Sequence, residues 1–153
     1  MIRTLHIHAG GVFGGVEAYL LSLVRERRLC PGLETSVALC FEGRLSRELA
    51  QAGTPPILLG PVRASRPWSV LRARRHLANL LQGFDVAVCH NSWTPALLGP
   101  AVRRAGKPLV FYLHGITDGR HWLERWASLT PPDFTVCNSR FSAGRSVLPP
   151  VNP

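Results

Sequence analysis

The chain has 153 residues, 46% of them hydrophobic and 18% charged, with 18 basic against 9 acidic residues and a formal charge of +9. Length and composition fit one globular domain large enough to bury a core and exclude a disordered chain, and no apolar run reaches the roughly 18 residues of a membrane span. Every basic residue except Lys107 is arginine, and such a field favours anionic partners without choosing among phosphate esters, acidic lipid surfaces and nucleic acid.

The N-terminus, MIRTLHIHAGG, lacks the apolar stretch and cleavage site of a signal peptide, so a cytoplasmic chain is expected. Residues 3–9 read as a strand with Leu5, Ile7 and Ala9 on one face, followed by a glycine loop over residues 10–15. A helix over 16–28 carries Val16, Tyr19, Leu20, Leu23 and Val24 at helical spacing. A second strand is expected over 34–41, a short helix over 43–53 closed by a glycine, and a short strand over 55–60. Residues 67–84 open with a proline and form a helix.

The alternation repeats, with strand 85–90, helix 94–106 with Pro100 placed to kink it, and strand 107–115. Helix 121–129, strand 133–139 and a last helical turn follow. Six strands, apolar on both faces and alternating with helices, imply a three-layer α/β/α domain around a Rossmann-like parallel sheet.

In such a sheet, ligands bind beyond the carboxyl ends of the strands, near the point where strand order reverses. The loop after the first strand holds Gly10, Gly11, Gly14 and Gly15, then Glu17 in the first helical turn. Glycines admit close backbone approach, and the helix N-terminus favours a phosphate. The frame G-G-x-x-G-G is not the dinucleotide fingerprint G-x-G-x-x-G, although Glu42 stands near where a ribose-binding acid would. Glu17 has two readings, a helix cap or an acceptor for ligand hydroxyls.

Other strands end in polar clusters, with His90, Asn91 and Ser92 after the fourth, His114 and Gly115 after the fifth, and Asn138, Ser139 and Arg140 after the sixth. These should open on the same rim as the glycine loop. His114 suits a role over the cleft, because imidazole can donate near neutral pH. Asn138 and Ser139 also fit a cap for the final helix. His6 and His8 share a strand face but lack an acid at useful spacing, so packing against a helix is expected and no metal.

The four cysteines form no CxxC pair and read as buried free thiols. Arg72, Arg74 and Arg75 with Trp68 give a helix with one basic side, either a solvated face or a peripheral contact with the inner face of an anionic membrane. Trp122 and Trp126, four apart, suit core packing or an interface. No nucleic-acid-reading module is visible.

In this order, GGVFGGVEAYLLSLV, DVAVCHNSW, FYLHG and VCNSRFSAG resemble the N-terminal domain of family 4 glycosyltransferases of the GT-B type. The element Gly14, Gly15, Val16, Glu17 with the later His-Gly and Asn-Ser carries the resemblance. It implies the acceptor-side domain over residues 1–148, the start of an interdomain linker over 149–153, and a donor-binding C-terminal domain that these residues do not contain. It further implies sugar transfer from a nucleotide-sugar co-substrate to a hydroxyl acceptor, a sugar or lipid-linked molecule, with retention and without bound metal. Neither cofactor nor donor would be held by this domain alone, and the isolated chain would be inactive or incomplete.

By the same resemblance, His114 lies at the reacting centre as the catalytic residue. Gly10, Gly11, Gly14, Gly15, Glu17, His90, Asn91, Gly115, Asn138, Ser139 and Arg140 would bind substrate. The missing partner would be a donor domain in cis or a separate chain. Two alternatives stand beside this reading: a non-catalytic binding or scaffolding domain derived from the fold, and a Rossmann-type enzyme dependent on NAD or S-adenosylmethionine.

Overall fold

A computed structural model describes residues 1–146, so the expected linker over 149–153 lies outside the described residues. The strands are β1 (Ile2–His8), β2 (Leu33–Leu39), β3 (Ile57–Leu58), β4 (Val86–His90), β5 (Leu109–Leu113) and β6 (Phe134–Cys137). The helices are α1 (Gly15–Arg25), α2 (Arg44–Gln51), α3 (Pro67–Leu80), α4 (Trp93–Arg104), α5 (Trp122–Ser128) and α6 (Arg140–Ala143). All six strands pair in parallel in the order β3-β2-β1-β4-β5-β6. The order reverses between β1 and β4, which places the switch point at the glycine loop.

Period-2 alternation sends each strand's side chains to opposite faces. On one face Leu5, Ile7, Ala87, Cys89, Leu109 and Phe111 pack with Leu77, Leu97 and Leu98 of α3 and α4. On the other, Val37 and Leu39 pack with Leu20, Leu21 and Val24 of α1 and Leu45 and Leu49 of α2. Each such buried leucine contributes about 1.5–3 kcal/mol of transfer free energy. Layering on both faces explains why the last five residues of β1 are all buried. β6 ends the sheet and keeps Phe134 and Val136 exposed.

Element ends depart from the sequence expectation for local reasons. β3 is only two residues long, because Pro55 and Pro56 cannot donate to a ladder. The long helices close on single 3₁₀ turns, Arg27–Leu29 and Leu81–Gly83. α4 runs through Pro100 to Arg104. Two cysteines, Cys40 and Cys89, are buried thiols as expected, but Cys30 is exposed and Cys137 half-buried. At the N-terminal rim, Asp85 accepts from the Arg3 N–H and Asp133 from the Leu109 N–H, each at 2.7 Å. Those acids hold strand ends and leave the opposite rim for a ligand.

Candidate functional site

β1 passes into the glycine loop where its backbone meets the turn after β2. The Phe41 N–H donates to the Ala9 carbonyl at 2.8 Å. Gly10 has φ +87°, and a Cβ there would lie 2.6 Å from the Phe41 carbonyl oxygen. Only glycine fits. The other three loop glycines are different. A Cβ on Gly15 would meet nothing within 4 Å, one on Gly11 nothing nearer than 3.9 Å, and one on Gly14 only Glu17 Oε2 at 3.5 Å. The fold therefore requires Gly10, while the remaining glycines border open space.

Beside Gly10 and Gly11 lies a cleft of about 500 Å³ whose walls also include His8, Glu17, Asn91 and Trp93, while Gly14 and Gly15 fall outside its lining. Asn91 turns β4 into α4 with φ +58°, a left-handed conformation that asparagine tolerates better than other non-glycine residues. Glu17 is buried in the cleft wall. One carboxylate oxygen accepts from the Gly14 N–H at 2.7 Å, and the other shares a 2.5 Å hydrogen bond with His8 Nε2. Burial alone would raise its pKa, but the bonds from His8 and the Gly14 N–H prevail and hold it below the ordinary glutamate value. The capping reading of Glu17 is thus met, and the same side chain lines the cleft. Among the described residues His8 Nδ1 is buried without a hydrogen-bond partner.

The second feature runs along the sheet. His6 Nδ1 lies 2.9 Å from His90 Nε2, and His90 Nδ1 lies 2.8 Å from His114 Nε2. The three rings stand on the same sheet face of adjacent strands β1, β4 and β5. Tyr112 stacks on His114 with centroids 4.4 Å apart, and Tyr19 of α1 leans on His90, Tyr112 and His114. Burial pushes His6 down to about 4. Burial, then its histidine neighbours, pushes His90 down to about 2. Burial also lowers His114, against an opposing pull from Glu17. Burial and the adjacent Tyr112 push the Tyr19 phenol up to about 12.

All three imidazoles are therefore neutral near pH 7, each with one donor and one acceptor nitrogen. The chain then permits two proton arrangements. If His6 donates to His90, His90 donates to His114, whose proton sits on Nδ1. If the order reverses, His114 donates from Nε2 and its Nδ1 is a bare acceptor. The state of the outermost ring is fixed by the two behind it.

The remaining expected residues divide clearly. His90 is fully buried, so it is no wall of the cleft and reaches the rim only through His114, contrary to the substrate-contact expectation. His6 and His8 do not simply pack on a helix, since each holds a polar partner. His114 is half-buried on the same rim as the glycine loop but outside the lining of the 500 Å³ cleft, and Gly115 beside it is exposed. Asn138 Nδ2 donates to the His114 carbonyl at 3.2 Å, tying β6 to the end of β5. Ser139 caps α6 by accepting from the Ser142 N–H at 3.1 Å. Arg140 is exposed on α6. The sequence pattern marks His6 and Tyr19 only as packing residues and does not single out Tyr112. The signal was parity: His6, His90, Tyr112 and His114 fall on one face once the strand order is known.

A Rossmann-like sheet in this order, with a cleft at the switch point, is the fold found in one half of a GT-B architecture. The solved structures it is similar to share that fold. They include Anabaena HepE in complex with UDP-glucose, at 20% identity and TM-score 0.76, where the match covers 95% of this chain and 40% of that one. A glycosyltransferase from Rickettsia africae matches at 16% identity and TM-score 0.71, over 94% of this chain and 38% of that one. Acinetobacter baumannii MurG matches at 14% identity and TM-score 0.68, over 91% and 42%. This chain thus spans about two fifths of the length of these structures. No curated protein matches it. The family model for Glycosyltransferase Family 4 matches residues 13–147, and the chain belongs to that family.

Proposed function

We propose that this domain is the acceptor-side half of a glycosyltransferase that moves a sugar from a nucleotide-sugar donor to a hydroxyl acceptor, with retention at the anomeric carbon. The donor would be held by a second domain, in cis or on a separate chain, and these residues alone would not turn over. The observation that carries the reading is the histidine chain ending at His114 on the glycine-loop rim. A neutral imidazole with one donor and one acceptor nitrogen can orient a sugar hydroxyl or donate to a departing phosphate. HepE's complex with UDP-glucose supports a nucleotide sugar as the donor class.

In this reading Gly11, Gly14 and Gly15 leave room for ligand, Glu17 and Asn91 shape the acceptor cleft, and His114 acts at the reacting centre. His90 and His6 are positioning residues behind it. Asn138 and Ser139 fix the strand end, and Arg140 and Gly115 face the space between domains. The test pairs this chain with a donor-binding domain and screens nucleotide sugars for transfer and hydrolysis. His114→Ala should lower turnover by at least about tenfold. An unchanged rate removes His114 from the reaction.

A further inference from the structure

Helices α3 and α4 lie on the sheet face opposite α1 and α2. They carry Arg72, Arg74, Arg75, Arg103 and Arg104 and no acid, and the sequence has no carboxylate from residue 49 to 84 or from 86 to 117. Arg103 is paired with Asp133. Among the described residues no ion pair involves Arg74, Arg75 or Arg104. These three line a groove of about 360 Å³ between the helices, with Leu71, Pro100 and Ala101 among its walls.

Arg74 is held in place. Pro100 cannot donate to the Ala96 carbonyl, which leaves α4 short of a donor there. One residue on, Arg74 Nε donates to the Leu97 carbonyl at 2.6 Å. Burial and then the nearby charge of Arg104 lower the Arg74 pKa. A partly desolvated cation beside a second cation, with no carboxylate in reach, is an unfavourable arrangement that a bound anion relieves. Leu71 and Arg74 also border an adjoining apolar hollow whose walls include Pro67, Trp68, Val70 and Trp126. Trp68 is 81% exposed at its edge. Arginines beside an apolar hollow and a projecting tryptophan suit a ligand with an anionic head and a hydrocarbon stem.

We propose that the α3–α4 groove binds the phosphate group of an anionic phospholipid at a bilayer surface, with Trp68 and the adjoining hollow meeting its apolar part. The proposal is independent of the sugar-transfer reading. Because a chain of charge +9 will approach any anionic surface, the test must separate the groove from the overall field.

The whole chain is co-sedimented with phosphatidylcholine vesicles with and without phosphatidylglycerol. Arg74→Gln/Arg104→Gln is compared with Arg28→Gln/Arg47→Gln, which removes equal charge from exposed positions on the opposite helix layer. Urea unfolding checks that all variants fold. The groove variant should lose affinity for the phosphatidylglycerol vesicles by about tenfold or more, and the control by less than about twofold. Tryptophan emission should shift to the blue with these vesicles and not with inorganic phosphate, and Trp68→Phe should remove most of the shift. Equal losses in the two double variants overturn the proposal. So does saturable binding of inorganic phosphate in the groove without vesicle binding, which would assign it to a free phosphate.

Discussion

At the C-terminal rim, buried His6 and His90 and half-buried His114 stand in a row, and the ring nitrogens that face each other are paired at 2.8–2.9 Å. Across the sheet, Arg74, Arg75 and Arg104 share a groove with no carboxylate among them. Both regions concentrate polar groups on an apolar framework, and they meet the desolvation penalty in opposite ways. The histidines give up charge and satisfy one another, so removing one strands its neighbours. The arginines keep their charge, so removing Arg104 relieves Arg74 of a like charge. Internal pairing suits a group that positions another, and charge left without a counter-ion is what the proposed phosphate would meet.

The largest effect that can break this contrast is His90→Ala. It leaves buried His6 Nδ1 unpaired, at about 1–3 kcal/mol, and takes from half-buried His114 Nε2 its partner. Arg104→Gln, by contrast, should leave stability within about 0.5 kcal/mol, with any change on the stabilising side. Urea denaturation of the two variants measures both, and equal destabilisation would end the comparison.

Next in size is the glycine loop. Gly10→Ala forces a side chain into φ +87° and against the Phe41 carbonyl, at a cost of about 1–3 kcal/mol for the backbone alone. Gly15→Ala meets open space and should be neutral or slightly stabilising. Thermal melts of the two variants check this, and a Gly10→Ala melt matching the unchanged chain would show the loop to be looser than described.

Smallest per pH unit, though it accumulates over several, is the dependence of stability on pH. His6 and His90 have folded values below the ordinary 6.5, so the unfolded state binds protons first. Stability should be flat above about pH 6.5 and fall below it, by about 1.4 kcal/mol per pH unit for each such histidine. For His6 the fall should end near pH 4. His6→Gln should flatten part of that slope, and a melting temperature independent of pH from 6.5 to 4 would contradict the buried neutral chain.

Much of the fold was legible because it rests on local rules. Apolar runs such as residues 85–90 and 107–113, with glycine and proline at element ends, fix six strands and their parallel pairing. The polar strand ends were legible for the same reason: His90, Asn91 and His114 follow buried runs, and Asn138 follows the apolar but half-exposed edge strand β6. The internal chain was not legible, because it depends on which strands are neighbours. His6 and His90 are 84 residues apart and meet only because β4 crosses to the far side of β1. Glu17 was ambiguous on paper and is both things in three dimensions, a cap by its bond to Gly14 and a wall by its place. The arginine groove was half legible, since the basic face of α3 shows in sequence while its seam with α4 depends on packing.

Phe134 and Val136 lie on the outermost strand, 51% and 40% exposed. Among the described residues no further strand pairs with β6, so it offers open main-chain groups beside two large apolar side chains. Two copies meeting at high concentration would find a ready template for edge-to-edge addition. Self-association through this border would show as a mass that rises with protein concentration.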